Sequence, residues 1–541
     1  MMPMEQTTPG TSRFAARRSR ESAQHMNTIN TRYVDVLDGL RALAVFGVVW
    51  FHFWQQSWIS PYFTIPFLQK IGLSPSVSLD FLPRSGFLFV DLLLFLSAFC
   101  LFLPHARAAV FGETVPDVRQ FYRKRLARIV PSYYLCVLVI LFAVTIPSGA
   151  YASVWACLAD LIPTLTFTQT FFPSVLLGTK INGVLWTAAV EMQFYVFFPL
   201  LAFCFRKRPV WTYLGMTAVS LAYLRLYALG NPDSIRVTLN QLPGFFGVFA
   251  NGMAFAYLFV WIAKRTKRAA WLSVLSLGGL IGGIWLLVSM MKAAPAVNPV
   301  QLWQAEYRHR LSLVFALITL SAALTFRPVR FLFSNAVMRF LAAISYNVYI
   351  WHQWLSVKFK QWRIPYWTGD TPPNFTGDRV WQWKYSLLIL GATLLIATLA
   401  TYLFERPMAR RLLRAGAGGK RKSPGPGPAS VPEAADGAVE TTESGRAAET
   451  DGGKYCFKTE GVCASRVEFE LDNGKIRNVV FTGGCKGNLL AIGKLVEGMD
   501  ADRVVELLAG NPCGAKKTSC ADQLTIAIRQ AQQEQRQNGR T

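Results

Sequence analysis

Apolar stretches, each about the ~20 residues a helix needs to cross a bilayer, recur from residue 37 to residue 404 with short polar joins between them. They lie near 37–56, 86–104, 131–147, 184–204, 210–229, 243–263, 270–290, 311–326, 340–357 and 385–404. Within them apolar positions do not alternate with period two, so a membrane barrel is excluded. A further apolar piece, 153–172, carries Asp160, Pro163 and Gln169 and reads as re-entrant or interfacial. From Ala415 to Lys454 the pattern gives way to Gly, Pro and Ala, a composition that forms no core. Beyond it the period changes to two. VEFEL, then Asp472-Asn473-Gly474-Lys475, then IRNVVF predicts a hairpin closed by an Asn-Gly turn. Helices are expected near 488–497, 501–509 and 521–536.

The expected fold is an all-α polytopic membrane bundle of about ten transmembrane helices, plus a small α+β cytosolic domain. Its divisions are a basic N-terminus (1–32), a membrane domain (33–412), a disordered linker (413–454) and a cysteine-rich domain (455–536).

A net charge of +25 first suggests a nucleic-acid binder, but the distribution points elsewhere. The loops on one side of the spans, counted with both terminal flanks, hold 28 Lys and Arg against 12 on the other. That excess marks the cytoplasmic face of a multi-pass inner-membrane protein with both termini inside. No nucleic-acid partner is expected. The first apolar run holds charges and lacks a small-residue cleavage site, so it reads as an anchor rather than a secretory signal.

Polar residues inside the spans carry the chemistry, because a charge in the membrane is costly and is retained for a use. LDGLRALAVFGVVWFHF holds Arg41 and His52, eleven residues apart. That is close to three helical turns, so both face one way, about 16 Å apart along the axis. They are expected to line one tunnel, with Arg41 nearer the cytoplasm; a local ion pair with Asp38 is the plainer reading of Arg41. An imidazole can take and return a proton near neutral pH. SGFLFVDLLLFLSAF carries Asp91 and Ser97, and FYRKRLARIVP carries Arg125 and Arg128 on one helix face. WTAAVEMQFYVFFPLL carries Glu191 and Gln193, and ISYNVYIWHQW carries Tyr346, Asn347 and His352.

These segments, in this order and with the closing Phe404-Glu-Arg-Pro407, resemble the acyltransferase 3 family of integral membrane acyltransferases over about residues 33–412. Ala98 stands where that family usually has glycine, and Met192 where a second Glu often follows Glu191. The resemblance implies an acyltransferase for groups other than aminoacyl groups. It would move an acyl group, commonly acetyl, from cytosolic acyl-CoA to a hydroxyl of a cell-envelope carbohydrate or lipid. In that frame His52 and Glu191 are the candidate catalytic residues, and Arg41, Asp91, Arg125 and Arg128 the candidates for holding acyl-CoA. His52 would act as general base or be acylated first. A transporter using the buried charges as a relay is the rival reading.

The tail, from YCFKTEGVCASRVEFEL to NPCGAKKTSCADQL, resembles the small TSCPD domain over about 455–530, with Ala521 in place of the motif's proline. Such domains occur alone or at the end of ribonucleotide reductases, so a membrane-tethered reductase accessory is a third reading. The family's four cysteines match Cys463, Cys485, Cys513 and Cys520. A cysteine cluster in reducing cytosol suggests metal or redox chemistry, leaving a zinc site or a thiol role open.

Overall fold

The computed structural model describes residues 29–31, 34–72, 74–266, 269–415, 448–450, 454–483, 486–513 and 518–538. The basic N-terminus and most of the expected linker lie outside the described residues. The chain divides into two compact units, with the division after Ser423.

The first unit is a helical bundle. Its principal helices are α1 (Val36–Ser57), α2 (Phe89–Phe111), α3 (Val118–Ile140), α4 (Val154–Leu165), α5 (Trp186–Lys207), α6 (Pro209–Tyr223), α7 (Leu242–Arg265), α8 (Ala270–Ala293), α9 (Val300–Leu324), α10 (Ala336–Gln361), α11 (Arg379–Leu399) and α12 (Arg406–Ala415). All ten expected spans are helical. Eight helical stretches among the described residues are long and apolar enough to cross a membrane. The other two are more polar: α6 with its continuation to Leu229, and α9, which carries Glu306, Arg308 and Arg310. The protein is thus a multi-pass membrane protein.

Segment 153–172 is not a span. Its helix α4 has 12 residues, about 18 Å of rise against a hydrocarbon core of about 30 Å. A short hairpin, β1 (Tyr62–Thr64) with β2 (Ser76–Ser78), follows α1.

Helix starts are written locally. Asp35, Asp117, Ser153, Asn335 and Asp378 each accept a backbone N–H at the beginning of α1, α3, α4, α10 and α11. These bonds satisfy donors that the helix itself leaves unpaired. Asp35 also pairs with Arg330, at 2.5 Å.

One close packing accounts for a departure noted in the sequence. A Cβ placed on Gly252 of α7 would lie 2.5 Å from the Phe95 carbonyl oxygen and 2.7 Å from Cβ of Ala98. The larger residue at 98 is therefore accommodated by a glycine on the facing helix.

The second unit is a four-stranded antiparallel sheet in the order β3 (Ala448–Thr450), β4 (Lys454–Lys458), β5 (Ala464–Asp472) and β6 (Lys475–Gly483). The β5–β6 hairpin closes through Asn473 (φ 49°) and Gly474 (φ 76°), both left-handed as a tight two-residue turn requires. Helices α13 (Lys486–Val496), α14 (Ala501–Leu508) and α15 (Cys520–Asn538) follow. Tyr455, Val467, Phe469 and Ile476 from the sheet share a core with Val504, Leu524 and Ile528 from the helices. The sheet begins before residue 455, because β3 pairs with β4 inside the stretch read as linker.

Candidate active site

Five helices enclose a cavity of about 160 Å³ in the membrane unit. Arg41 and Val45 come from α1, and Val90, Ser97 and Cys100 from α2. Arg125 and Arg128 come from α3, Thr187, Glu191 and Tyr195 from α5, and Ser345, Tyr346 and Tyr349 from α10. The walls combine apolar side chains with a few convergent polar groups, the usual make-up of a small-molecule site.

Arg41 lies 3.5 Å from Asp38, so the local ion pair forms, yet its guanidinium still lines the cavity and donates to Sγ of Cys100 at 3.5 Å. Arg128 stands within electrostatic reach of Arg41, Arg125 and Glu191. Three guanidiniums facing one space repel each other unless an anion sits among them. Not every arginine of α3 lines the cavity. Arg123, on the same helix, donates instead to the Leu413 carbonyl at 2.9 Å.

Glu191 is the carboxylate of the cavity. Ser97 Oγ and Tyr195 OH both donate to its Oε1, each at 2.5 Å. Among the described residues no hydrogen bond is donated to Oε2. Tyr195 lies one turn after Glu191, and the Arg125 guanidinium sits 5.9 Å from its ring centre. Sequence reasoning missed Tyr195, although the i, i+4 spacing places it on Glu191's face.

Behind these groups, Asn347 donates to Glu405 Oε2 at 2.6 Å and to Thr401 at 2.8 Å. Ser132 donates to the same Glu405 oxygen at 3.3 Å. Glu405 belongs to the Phe404–Pro407 segment. That segment therefore braces α10 against α3 and does not line the cavity itself.

Two expected site residues sit elsewhere. His52 does not line the cavity with Arg41. Its ring lies 5.1 Å from that of His352, whose ring is 5.6 Å from Tyr349 on the cavity wall. His352 of α10 therefore stands next to both His52 and the wall residue Tyr349. Asp91 does not reach the cavity either. It is fully buried with its Oδ1 3.5 Å from Nε of Arg308, and it has no hydrogen-bond partner among the described residues. Arg308 also donates to the Leu239 carbonyl at 2.8 Å and lies over Phe245 at 3.9 Å. Asp91 belongs to a buried ion pair that joins α2 to α9.

The acyltransferase domain model matches residues 34–405. The chain belongs to the acyltransferase 3 family. Its tail, residues 441–532, matches the TSCPD domain.

The peptidoglycan O-acetyltransferase OatA of Listeria monocytogenes is 24% identical over 406 residues, which is 70% of this chain and 56% of that protein. A provisionally named O-acetyltransferase of Staphylococcus aureus is 23% identical over 347 residues, 59% of this chain and 50% of that protein. A provisionally named acetyltransferase of Acidianus two-tailed virus is 24% identical over 329 residues, covering 60% of this chain and 84% of that one. The chain thus spans about half the length of the two bacterial relatives. No solved structure matches the chain.

In the tail, the Thr518–Asp522 motif caps a helix. Ser519 Oγ accepts the Asp522 N–H at 3.1 Å at the start of α15, and Asp522 accepts from Thr518 and from the Gly510 N–H, each at 2.6 Å. Cys463 and Cys513 are exposed and Cys520 is partly buried; Cys485 lies outside the described residues. Among the described residues no group of three or more His, Cys, Asp or Glu could hold a metal ion.

Proposed function

We propose that this protein moves an acetyl group from cytosolic acetyl-CoA to a hydroxyl of a cell-envelope carbohydrate or lipid at the outer face. The observation that carries this is the convergence of Arg41, Arg125 and Arg128 on one cavity beside Glu191. Guanidinium groups suit the phosphates of CoA, which they bind through charge-assisted bonds. The pantetheine arm then runs past Glu191 toward Tyr349, and its thioester arrives on the side of His52. The names of the bacterial relatives support an O-acetyl ester as the product.

In the direct form, His52 removes the proton from the acceptor hydroxyl and the alkoxide attacks the thioester carbonyl. The C–S bond breaks, and the proton passes from the imidazolium to the CoA thiolate. In the two-step form, His52 itself attacks the thioester and the C–S bond breaks to release CoA thiolate; the hydroxyl then attacks the acetyl-imidazole, the N–C bond breaks, and the hydroxyl proton ends on the thiolate. In this reading the basic loops and both termini are cytoplasmic, in line with the Lys and Arg excess on that side, and the acceptor is outside.

The test uses membranes holding the full chain, given radiolabelled acetyl-CoA. Thiol release and base-labile label on envelope glycan or lipid are read together. Cells lacking the protein should lose one ester from that fraction. If ester content is unchanged in the deletion and no thiol is released, this reading fails.

A further inference from the structure

His352 is fully buried on α10, and no reading of the reaction so far uses it. Its Nδ1 meets two backbone carbonyls, Tyr349 O at 2.6 Å and Val348 O at 3.2 Å. Carbonyls only accept, so Nδ1 carries the hydrogen and Nε2 of the neutral ring holds a lone pair. That Nε2 has no partner among the described residues, and a buried polar atom without a partner calls for an explanation.

The ring 5.1 Å away supplies one. His52 Nδ1 lies 2.9 Å from Gln55 Oε1, and with the amide placed this way Nδ1 donates. Its Nε2 is then also a lone pair. Two neighbouring imidazoles, each pinned at Nδ1 by an oxygen acceptor, have two Nε2 atoms and no proton to share. That arrangement is complete only when one proton is added.

We propose that His352 is a positioning residue for His52 that shares the proton His52 takes from the acceptor hydroxyl. The inference rests on the acetyl-transfer reading above. When the hydroxyl proton moves to His52 Nε2, the cation forms with its ring centre 5.1 Å from that of His352; the two rings are not bonded in the resting structure, and the added proton lets the His352 Nε2 lone pair accept from His52. The proton later leaves from His52 to the CoA thiolate, so His352 ends neutral as it began. Nothing is oxidised, and the only covalent exchange is the ester bond formed for the C–S bond broken. His352 also carries the contact from His52 to Tyr349 on the cavity wall, so it holds His52 at a fixed place relative to the thioester path.

Two substitutions separate this role from mere packing. His352→Asn keeps an amide donor near the position of Nδ1, and so the bonds to Val348 and Tyr349, but removes Nε2. His352→Gln places an amide near Nε2 and gives up the backbone bonds. Each full-length variant is assayed in membranes for thiol release from acetyl-CoA, with yield and thermal melting checked in detergent. His352→Asn should melt like wild type, keep the KM for acetyl-CoA and lose at least tenfold in kcat. His352→Gln should retain more kcat than His352→Asn even where it melts earlier. A His352→Asn enzyme with wild-type kcat overturns the proposal, as does a variant pair whose activities follow only their melting temperatures. A wild-type chain that releases no thiol overturns the acetyl-transfer reading, and this inference with it.

Discussion

The ion pair between Asp91 and Arg308 gives the sharpest test of how the buried charges divide between structure and chemistry. Both side chains are at most 1% exposed, and the charged atoms are 3.5 Å apart. At an effective dielectric of about 20 such a separation corresponds to an attraction of about 5 kcal/mol. Desolvating the two ions offsets much of it, so the pair adds little net stability over an apolar one. Removing a single partner is different, because it strands a buried charge, at a cost of about 3–5 kcal/mol. Against a total stability of about 5–15 kcal/mol, that is a large share. Asp91→Leu should therefore lower yield and melting temperature sharply in detergent, and Arg308→Met should do the same. The double variant Asp91→Leu/Arg308→Met should melt closer to wild type than the sum of the singles allows, by about 2 kcal/mol or more of coupling. Folded material from each should keep the wild-type KM for acetyl-CoA. The reasoning is refuted if the single variants melt normally and raise KM instead, since Asp91 would then be acting on the ligand.

Other substitutions probe the cavity and the packing around it. Arg125→Ala with Arg128→Ala should raise KM for acetyl-CoA by at least about tenfold, because each charge-assisted bond is worth about 1.5–3 kcal/mol; isothermal binding of CoA to purified protein checks it. His52→Ala should lower kcat by about 10²–10⁴ with normal membrane levels, the range expected for losing a general base; a wild-type rate would make His52 structural. Gly252→Ala should destabilise the bundle by about 1–3 kcal/mol, the usual cost of overpacking, since its Cβ meets backbone 2.5 Å away. Adding Ala98→Gly should recover part of that loss, because it removes the second of the two close contacts.

The fold was legible to the extent that burial in lipid writes itself into a single segment. A run of about twenty apolar residues is decisive by itself, and every such run is a helix. Helix ends were less legible. The helical path continues past the expected end at 404, through Ala400–Glu405 into α12, because amphipathic and basic turns look like loop when only apolarity is read. The sheet's first strand was hidden for a related reason. Ala448–Thr450 sits in a Gly, Ala and Thr-rich stretch whose composition says linker, and its pairing with Lys454–Cys456 is a tertiary fact.

The candidate site shows where single-helix reasoning stops. Helical periodicity correctly put Arg41 and His52 on one face of α1, and the same reasoning put Arg125 and Arg128 together. Periodicity says nothing about what other helices place between two residues about 16 Å apart. Here α10 inserts Tyr349 and His352, so one end of α1 lines the cavity and the other pairs with a histidine. Asp91 was misassigned for the same reason: its partner Arg308 lies on α9, far along the chain, and no local spacing announces it. The tail motif is the opposite case. Ser519-x-x-Asp522 is a spacing that by itself signals a helix start, and Ser519 does accept the Asp522 N–H there. The motif's serine and aspartate are therefore explained by capping. Only Cys520, the first residue of α15, is left without a structural reason among the motif's polar groups.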